Sequence, residues 1–262
     1  MSNFLRKALQ YLEYRRFFVG HRDINTFRHL RNGRTTSSAP QRVRVRSWGG
    51  RAVQLRPGSM DAVTLWDVLH NRFHLPPEPL VCHTIVSLGA NAGYATTDFA
   101  CRYPQARIVA VEMDRDNALL CEQNTEFARE RVTVVNAAIW STDGSVHYGG
   151  MDVHDLRISS LGKDAGAPAV PDDRRARAIC IPTLFAEYHV EHVDFLKMDI
   201  EGAEAAVFAS NTEWLQKVRA ILVEVHPPAT PAMCGAALER EGFRVSHHHL
   251  DHEAVFGIRP PS

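Results

Sequence analysis

The stretch Thr84-Ile-Val-Ser-Leu-Gly-Ala-Asn-Ala-Gly-Tyr94 limits what this chain can fold into more than any other. An apolar run, Ile85 to Leu88, gives way to Gly89 and Gly93, and a helical pattern follows over 96–102. That order predicts a strand, a tight turn and a helix. Glycine admits backbone angles closed to other residues and lets a ligand come close, and the helix start behind the turn offers unpaired N–H groups. A G-x-x-x-G spacing alone is common in turns, so the next segment carries the weight. Arg107-Ile-Val-Ala-Val-Glu-Met113 is a second apolar strand with an acidic end, and Glu112 lies 23 residues after Gly89. An acidic side chain there is placed to accept hydrogen bonds from ribose hydroxyls. Neither the close G-x-G-x-x-G nor a G-K-[ST] ending is present, which argues against a dinucleotide or a triphosphate. An adenosine ligand without phosphates fits better, and S-adenosylmethionine (SAM) is the leading candidate.

From there apolar runs and helical patterns alternate. Strands are expected at 84–88, 107–111, 132–138, 193–198, 220–225, 243–247 and 254–258, and helices near 96–102, 115–129, 183–189, 203–209 and 231–241. Strands joined by helical crossovers form a parallel sheet covered on both faces. The last two strands are separated only by a loop and should run antiparallel. The expected fold is α/β: a mostly parallel seven-stranded Rossmann-like sheet closed by an antiparallel C-terminal hairpin strand, the layout of class I methyltransferases. Residues 141–177, rich in Gly, Asp and Pro, read as an insertion over the site, with a small hairpin starting at Gly144.

The start of the chain differs. Residues 1–46 carry a net charge of +9 and residues 47–262 a net charge of −9, although the whole sums to zero. A helix is expected over 4–19, a loop over 32–40, a hairpin around Gly49-Gly50 and a short helix over 63–71. Two domains follow: a basic helical arm at 1–42 and a SAM-binding domain at 43–262. A basic arm on an acidic body suits nucleic acid, an anionic membrane surface or a second copy of the chain, which would give a homo-oligomer through the arm. Packing on its own domain is the plainer alternative. No apolar run approaches the roughly 20 residues of a membrane-spanning helix, and the N-terminus is too polar for a secretory signal. The five cysteines lack metal-type spacing and read as reduced thiols, so a cytoplasmic location is expected.

In such a sheet ligands bind at the carboxyl ends of the strands, here Ser87–Asn91, Glu112, 136–140, 199–204 and 224–226. The fourth strand, Val193-Asp-Phe-Leu-Lys-Met-Asp-Ile-Glu-Gly-Ala-Glu204, exits into Lys197, Asp199, Glu201 and Glu204. Acidic side chains are seldom fully buried unless paired, and Lys197 is the obvious partner. A salt-bridged strand-to-helix turn is the structural alternative to a catalytic cluster.

Leu88-Gly-Ala-Asn-Ala-Gly93, Val109-Ala-Val-Glu112, Asp194-Phe-Leu-Lys-Met-Asp-Ile-Glu-Gly-Ala-Glu204 and Ile221-Leu-Val-Glu-Val-His226 resemble, in order and spacing, the FkbM family of SAM-dependent methyltransferases over about residues 43–260. The resemblance implies methyl transfer from SAM to a hydroxyl of a small-molecule, sugar, glycan or natural-product acceptor. It implies a cofactor site of Ser87, Gly89, Ala90, Asn91, Gly93, Tyr94, Glu112, Met113, Asn136, Ala137 and Asp199. One departure stands out: the family usually has Asp where this chain has Ser87. Without that carboxylate near the methionine amine, either the cofactor is held more weakly or Asp199 takes the duty.

Methyl transfer in line from a sulfonium to an oxygen depends mostly on positioning, with a base or a metal to handle the hydroxyl proton. The catalytic candidates are Asp199, His226, Glu201 and Lys197, with His226 favoured as base. Asp199, Glu201 and Glu224 are alternatively an oxygen set for a Mg²⁺-type ion. His247, His248, His249 and His252 form a second cluster, for an acceptor, a transition metal or solvent. Tyr94, Trp140 and Tyr148 are placed to stack on a ring or to fill the core. Two other readings remain. An RNA methyltransferase is suggested by the basic arm, although the fourth strand lacks an Asn-Pro-Pro-Tyr type motif. A non-catalytic SAM-binding partner protein is suggested by Ser87.

Overall fold

The computed structural model describes residues 3–149, 157–161, 175–248 and 251–260. The chain divides into two compact units, Met1–Arg72 and Phe73–Ser262.

In the first unit, α1 (Asn3–Phe17) and α2 (His21–Arg31) precede an antiparallel hairpin of β1 (Gln41–Val45) and β2 (Arg51–Leu55) and the short helix α3 (Asp61–Trp66). Its core is aromatic. Tyr14 meets Phe27 and Trp66 edge-on at 5.3 and 5.2 Å between ring centres, the arrangement that ring quadrupoles favour. Asp23 fastens helix to hairpin, accepting from the backbone N–H groups of Gly20 and Arg44 and from the Arg44 guanidinium. The hairpin therefore shares a unit with the helices, and the compact unit runs past the anticipated boundary at residue 42 to Arg72. Helix α2 is absent from the sequence reading. Its inward face is only Ile24, Phe27 and Leu30 among histidines and arginines, a thin apolar signal.

The second unit holds a seven-stranded sheet. Its strands are β3 (Thr84–Leu88), β4 (Arg107–Glu112), β5 (Val132–Asn136), β10 (Phe195–Met198), β11 (Ala220–Glu224), β12 (Arg244–His248) and β13 (Asp251–Ile258). They lie in the order β12-β13-β11-β10-β3-β4-β5. β13 is antiparallel to both β11 and β12, and the five strands from β11 to β5 are parallel. This is the expected mostly parallel sheet with an antiparallel C-terminal strand. Alternate residues serve opposite faces. Ile85, Ile108, Phe195, Leu222 and Phe256 pack on one side with Phe99 of α4 (Tyr94–Arg102). Val86, Val109, Leu196, Ile221 and Val255 pack on the other with Leu184 of α6 (Ile181–Glu187) and Leu238 of α8 (Pro231–Arg240). Both faces are covered, which is why the central strands read as unbroken apolar runs.

The region expected to be one strand at 132–138 is two. After β5 a single residue, Ala137, intervenes before β6 (Ala138–Ile139), which leaves for a second sheet of order β6-β9-β7-β8. In it β7 (Gly144–Gly149) and β8 (Arg157–Leu161) form the anticipated antiparallel hairpin, and β9 (Arg175–Ile179) returns the chain to α6. β9 was not anticipated, because its outward half, Arg175 to Arg177, hides the buried pair Ala178 and Ile179. Much of the insertion, like His249, lies outside the described residues.

Candidate functional site

The parallel strands direct their carboxyl ends to one edge of the sheet, and a cleft of about 550 Å³, open to solvent, lies there. Gly89, Asn91, Val111, Glu112, Met113, Asn117, Ala137, Ala138, Ile139, Ile158, Asp199, Ile200 and Glu201 line it. The expected Gly89, Asn91, Glu112, Met113, Ala137, Asp199 and Glu201 are thus brought together.

The turn after β3 leaves little freedom. Gly89 has φ +78°, and a Cβ there would sit 1.7 Å from the Asp199 carbonyl oxygen. Its amide and that of Ala90 both donate to the Val111 carbonyl at 2.9 Å. Gly93 has φ +82°, and a Cβ there would press on Cys121 at 2.7 Å, so helix packing requires this glycine. Ser87, Ala90, Gly93 and Tyr94 are enclosed behind the cleft wall and do not line it. Ser87 Oγ is buried without a hydrogen-bond partner. Asn136 also stands back from the cleft, donating to the Glu112 and Met113 carbonyls at 2.9 Å.

Glu112 ends β4 and is 7% exposed. It accepts from the Asn91 amide at 2.8 Å and the Asp114 amide at 2.9 Å. Burial pushes its pKa up to about 7, against the pull of those amides and of the Asn117 side chain. Asn117 escaped the sequence reading although a signal exists. Asp114 caps α5 (Arg115–Thr125) by accepting from the Asp116 and Asn117 amides, which puts the first turn of that helix beside the strand end. Ile158, carried by β8, had no such signal.

The exits of β10 and β11 are built differently. Lys197, 7% exposed, donates to Asp199 Oδ2 at 2.7 Å. Burial pulls the Lys197 pKa down, but Asp199, Glu224 and Glu201 outweigh it and hold it above the ordinary lysine value. Beyond Asp199 the chain turns sharply, with Glu201 at φ +52° and Gly202 at φ +100°. A side chain in the left-handed region costs on the order of 1–3 kcal/mol, so Glu201 is held there by its surroundings. The holder is Glu204, the first residue of α7 (Glu204–Phe208) and fully buried, which accepts from the Ile200 and Gly202 amides at 3.2 and 2.9 Å. Asp194 does similar work at the opposite end of β10, accepting from the His83 and Thr84 amides.

His226 lies two residues past β11. Its Nδ1 is 3.1 Å from Glu204 Oε1, and its Nε2 is 3.7 Å from Glu201 and 3.8 Å from Glu224. Burial opposes a charge on the ring, yet the Glu204 hydrogen bond and the charges of Asp199, Glu201 and Glu204 push its pKa up to about 9. With no ion beside it the expected base therefore carries a second proton at neutral pH, which makes it a poor proton acceptor, and it does not line the cleft. The expected ion set also changes: among the described residues it is Asp199, Glu224 and His226 that bring one ligand atom each within 4.8 Å of one another. Tyr94 and Tyr148 are core residues at 1% and 2% exposure, Tyr148 reaching Asp114 at 3.3 Å. His247 is exposed on β12, and the side chains of His248 and His252 are not described.

A family model described as "Methyltransferase FkbM domain" matches residues 87–253. Among curated proteins, the AMB antimetabolite synthetase AmbE of Pseudomonas aeruginosa is 28% identical over 211 residues, covering 66% of this chain. The chain spans about a tenth (10%) of that relative's length. Among solved structures, a methyltransferase from Geobacter sulfurreducens is 12% identical, with a TM-score of 0.43 over 99% of this chain and 96% of that one. The precorrin-6y C5,15-methyltransferase of Geobacter metallireducens is 14% identical, with a TM-score of 0.40 over 76% of this chain and 87% of that one.

Proposed function

The chain belongs to the methyltransferase FkbM family and is a SAM-dependent methyltransferase; on that premise we propose that it methylates a hydroxyl oxygen of a small sugar, glycan or natural-product acceptor. The observation that carries the proposal is the two-sided cleft. A buried carboxylate, Glu112, stands on one wall, and the carboxylates Asp199 and Glu201 stand on the other.

The wall around Glu112 fits the cofactor. A carboxylate has about four lone-pair sites, so Glu112 retains acceptor capacity for a ribose hydroxyl beyond its contacts with Asn91, Asp114 and Asn117. Val111, Met113, Ala137 and Ile139 supply an apolar surface for a flat base, and Gly89 and Asn91 border the rest. SAM supplies an electrophilic methyl group on sulfur. The protein's part is to align the acceptor oxygen and take its proton. In this reading Glu201 is the base, aimed by its left-handed backbone, and Asp199, fixed by Lys197, orients the hydroxyl.

The relative described as an antimetabolite synthetase accords with a natural-product acceptor. Part of the positive charge that suggested the RNA alternative is used inside the first unit. There Arg44 pairs with Asp23 and Arg56 with Asp61. Arg46 caps the Phe18 and Val19 carbonyls, and Arg31 lies over Trp66. These cations hold their own unit together.

The test is a turnover screen with SAM against sugar, polyketide, peptide and RNA acceptors, with the product methyl located by NMR. A methyl ether is expected. A methyl on nitrogen or carbon, or turnover with RNA alone, would overturn the proposal.

A further inference from the structure

We propose that Asp199, Glu224 and His226 form a site for one divalent cation of the Mn²⁺ or Mg²⁺ class at the carboxyl ends of β10 and β11, where Asp199 borders the cleft. The site stands on geometry, and only its catalytic role rests on the methyl-transfer reading above.

The three ligand atoms lie within 4.8 Å of one another. An ion bound at about 2.0–2.2 Å holds neighbouring ligand atoms about 3–4 Å apart, so a small adjustment closes the set. The ligands sit at the ends of adjacent parallel strands: Asp199 one residue past β10, Glu224 the last residue of β11, and His226 two residues on. Ligands at strand ends are held more firmly than ligands on long loops. Lys197 fixes the direction of the Asp199 carboxylate through Oδ2.

The second observation lies behind the histidine. Glu204 is outside the ligand set and fully buried, and it faces His226 Nδ1 at 3.1 Å. That contact keeps a hydrogen on Nδ1 and turns Nε2 toward Glu224 and Glu201, and an ion that binds there displaces the Nε2 proton to solvent. A carboxylate behind the ring, setting tautomer and direction, is how metal-binding imidazoles are commonly held. Glu204 is fixed in turn by the Ile200 and Gly202 amides. The neighbourhood is also rich in negative charge. Asp199, Glu201, Glu204 and Glu224 gather around Lys197 and His226. Two carboxylates and one imidazole favour Mg²⁺ or Mn²⁺ over thiophilic ions.

With three protein ligands, coordination positions remain for an acceptor hydroxyl, and coordination lowers the pKa of such a group. The O–H bond breaks with its proton passing to Glu201. The oxygen then forms a bond to the methyl carbon as the carbon–sulfur bond breaks, leaving neutral S-adenosylhomocysteine.

The test titrates Mn²⁺ into the whole 262-residue chain without SAM and follows the free ion by electron paramagnetic resonance. One ion per chain is expected, with a Kd below about 1 mM, within the range of oxygen-ligand sites. Glu224→Gln and His226→Gln should each weaken binding at least about tenfold, because each removes a first ligand. SAM affinity, measured on the same samples, should persist in both variants and reports that they are folded. A wild-type chain that binds Mn²⁺ but not SAM would sink the proposed function and leave the ion site standing. In the wild type Mn²⁺ should also broaden the His226 imidazole signals before those of other histidines, a readout that needs no substitution. Failure to bind below about 1 mM, equal affinity in both folded variants, or broadening centred on other histidines would each overturn the site.

Discussion

Two carboxylates end neighbouring parts of the same sheet, and the chain treats them in opposite ways. Glu112, at the exit of β4, is buried among backbone amides, and burial lifts its pKa to about 7. Asp199, at the exit of β10, has the ammonium of Lys197 at 2.7 Å and the imidazole of His226 among its charged neighbours. Amides fix a carboxylate in space while leaving it able to change protonation with its ligand. Cations pair with it and turn the region into a charged network. The first arrangement suits recognition of neutral hydroxyls on a cofactor, the second the handling of a proton or an ion during chemistry.

The sharpest way to break this contrast is to disarm the charged exit alone. Glu201→Gln should lower kcat by roughly 10²–10⁴, the usual share of a general base, while SAM affinity stays within about twofold. A variant that keeps its full rate would move the base elsewhere. Next in size is the turn that joins the two exits. Gly89→Ala places a methyl against the Asp199 carbonyl in a left-handed backbone, so urea unfolding should show a loss of about 3 kcal/mol or more. An unchanged midpoint would mean that the turn relaxes freely.

At the amide-held exit the effect should be smaller and confined to binding. Glu112→Gln is expected to weaken SAM by about 1–3 kcal/mol, and calorimetry showing equal affinity would remove Glu112 from the ribose. The mildest prediction concerns pH. Because its folded pKa is raised, Glu112 binds protons more tightly when folded, so its contribution to stability falls as pH rises from about 4.5 toward 7. Ribose hydroxyls donate to the ionised form. SAM affinity should therefore climb by up to about tenfold per pH unit below 7 and level off above it, and Glu112→Gln should flatten that profile. A wild-type profile already flat would place the titration elsewhere.

The contrast also marks how far the sequence could be read. Glycines 89 and 93, the acidic ends Glu112 and Asp199, and the apolar strands were legible because each is a local signal: a residue type at a fixed offset from an apolar run. Asn117 and Ile158 were not, since one reaches the cleft through the start of a helix and the other through a separate sheet. Ser87 and Tyr94 sit beside the glycine turn in sequence but face inward, a distinction set by strand alternation and helix packing. His226 shows the limit most clearly. Its position at a strand end was readable, but its charge depends on Glu204 and Glu201, more than 20 residues away in the chain. Helix α2 went unseen because three apolar residues suffice when aromatic rings complete the core.

The passage from β5 to β6 through Ala137 has an evolutionary consequence. One continuous length of chain belongs to both sheets, and β9 runs directly into α6, so the second sheet is anchored to the main body at both ends of the insertion. Its hairpin also contributes a wall residue, Ile158, to the cleft. Selection can therefore rewrite the stretch between β7 and β9 to meet a new acceptor without disturbing the register of the parallel strands. A laboratory seeking altered substrate range has the same opening: exchange of this segment between relatives, cut after Trp140 and at Cys180, replaces the hairpin while keeping Ala137 and Ile139 beside Glu112.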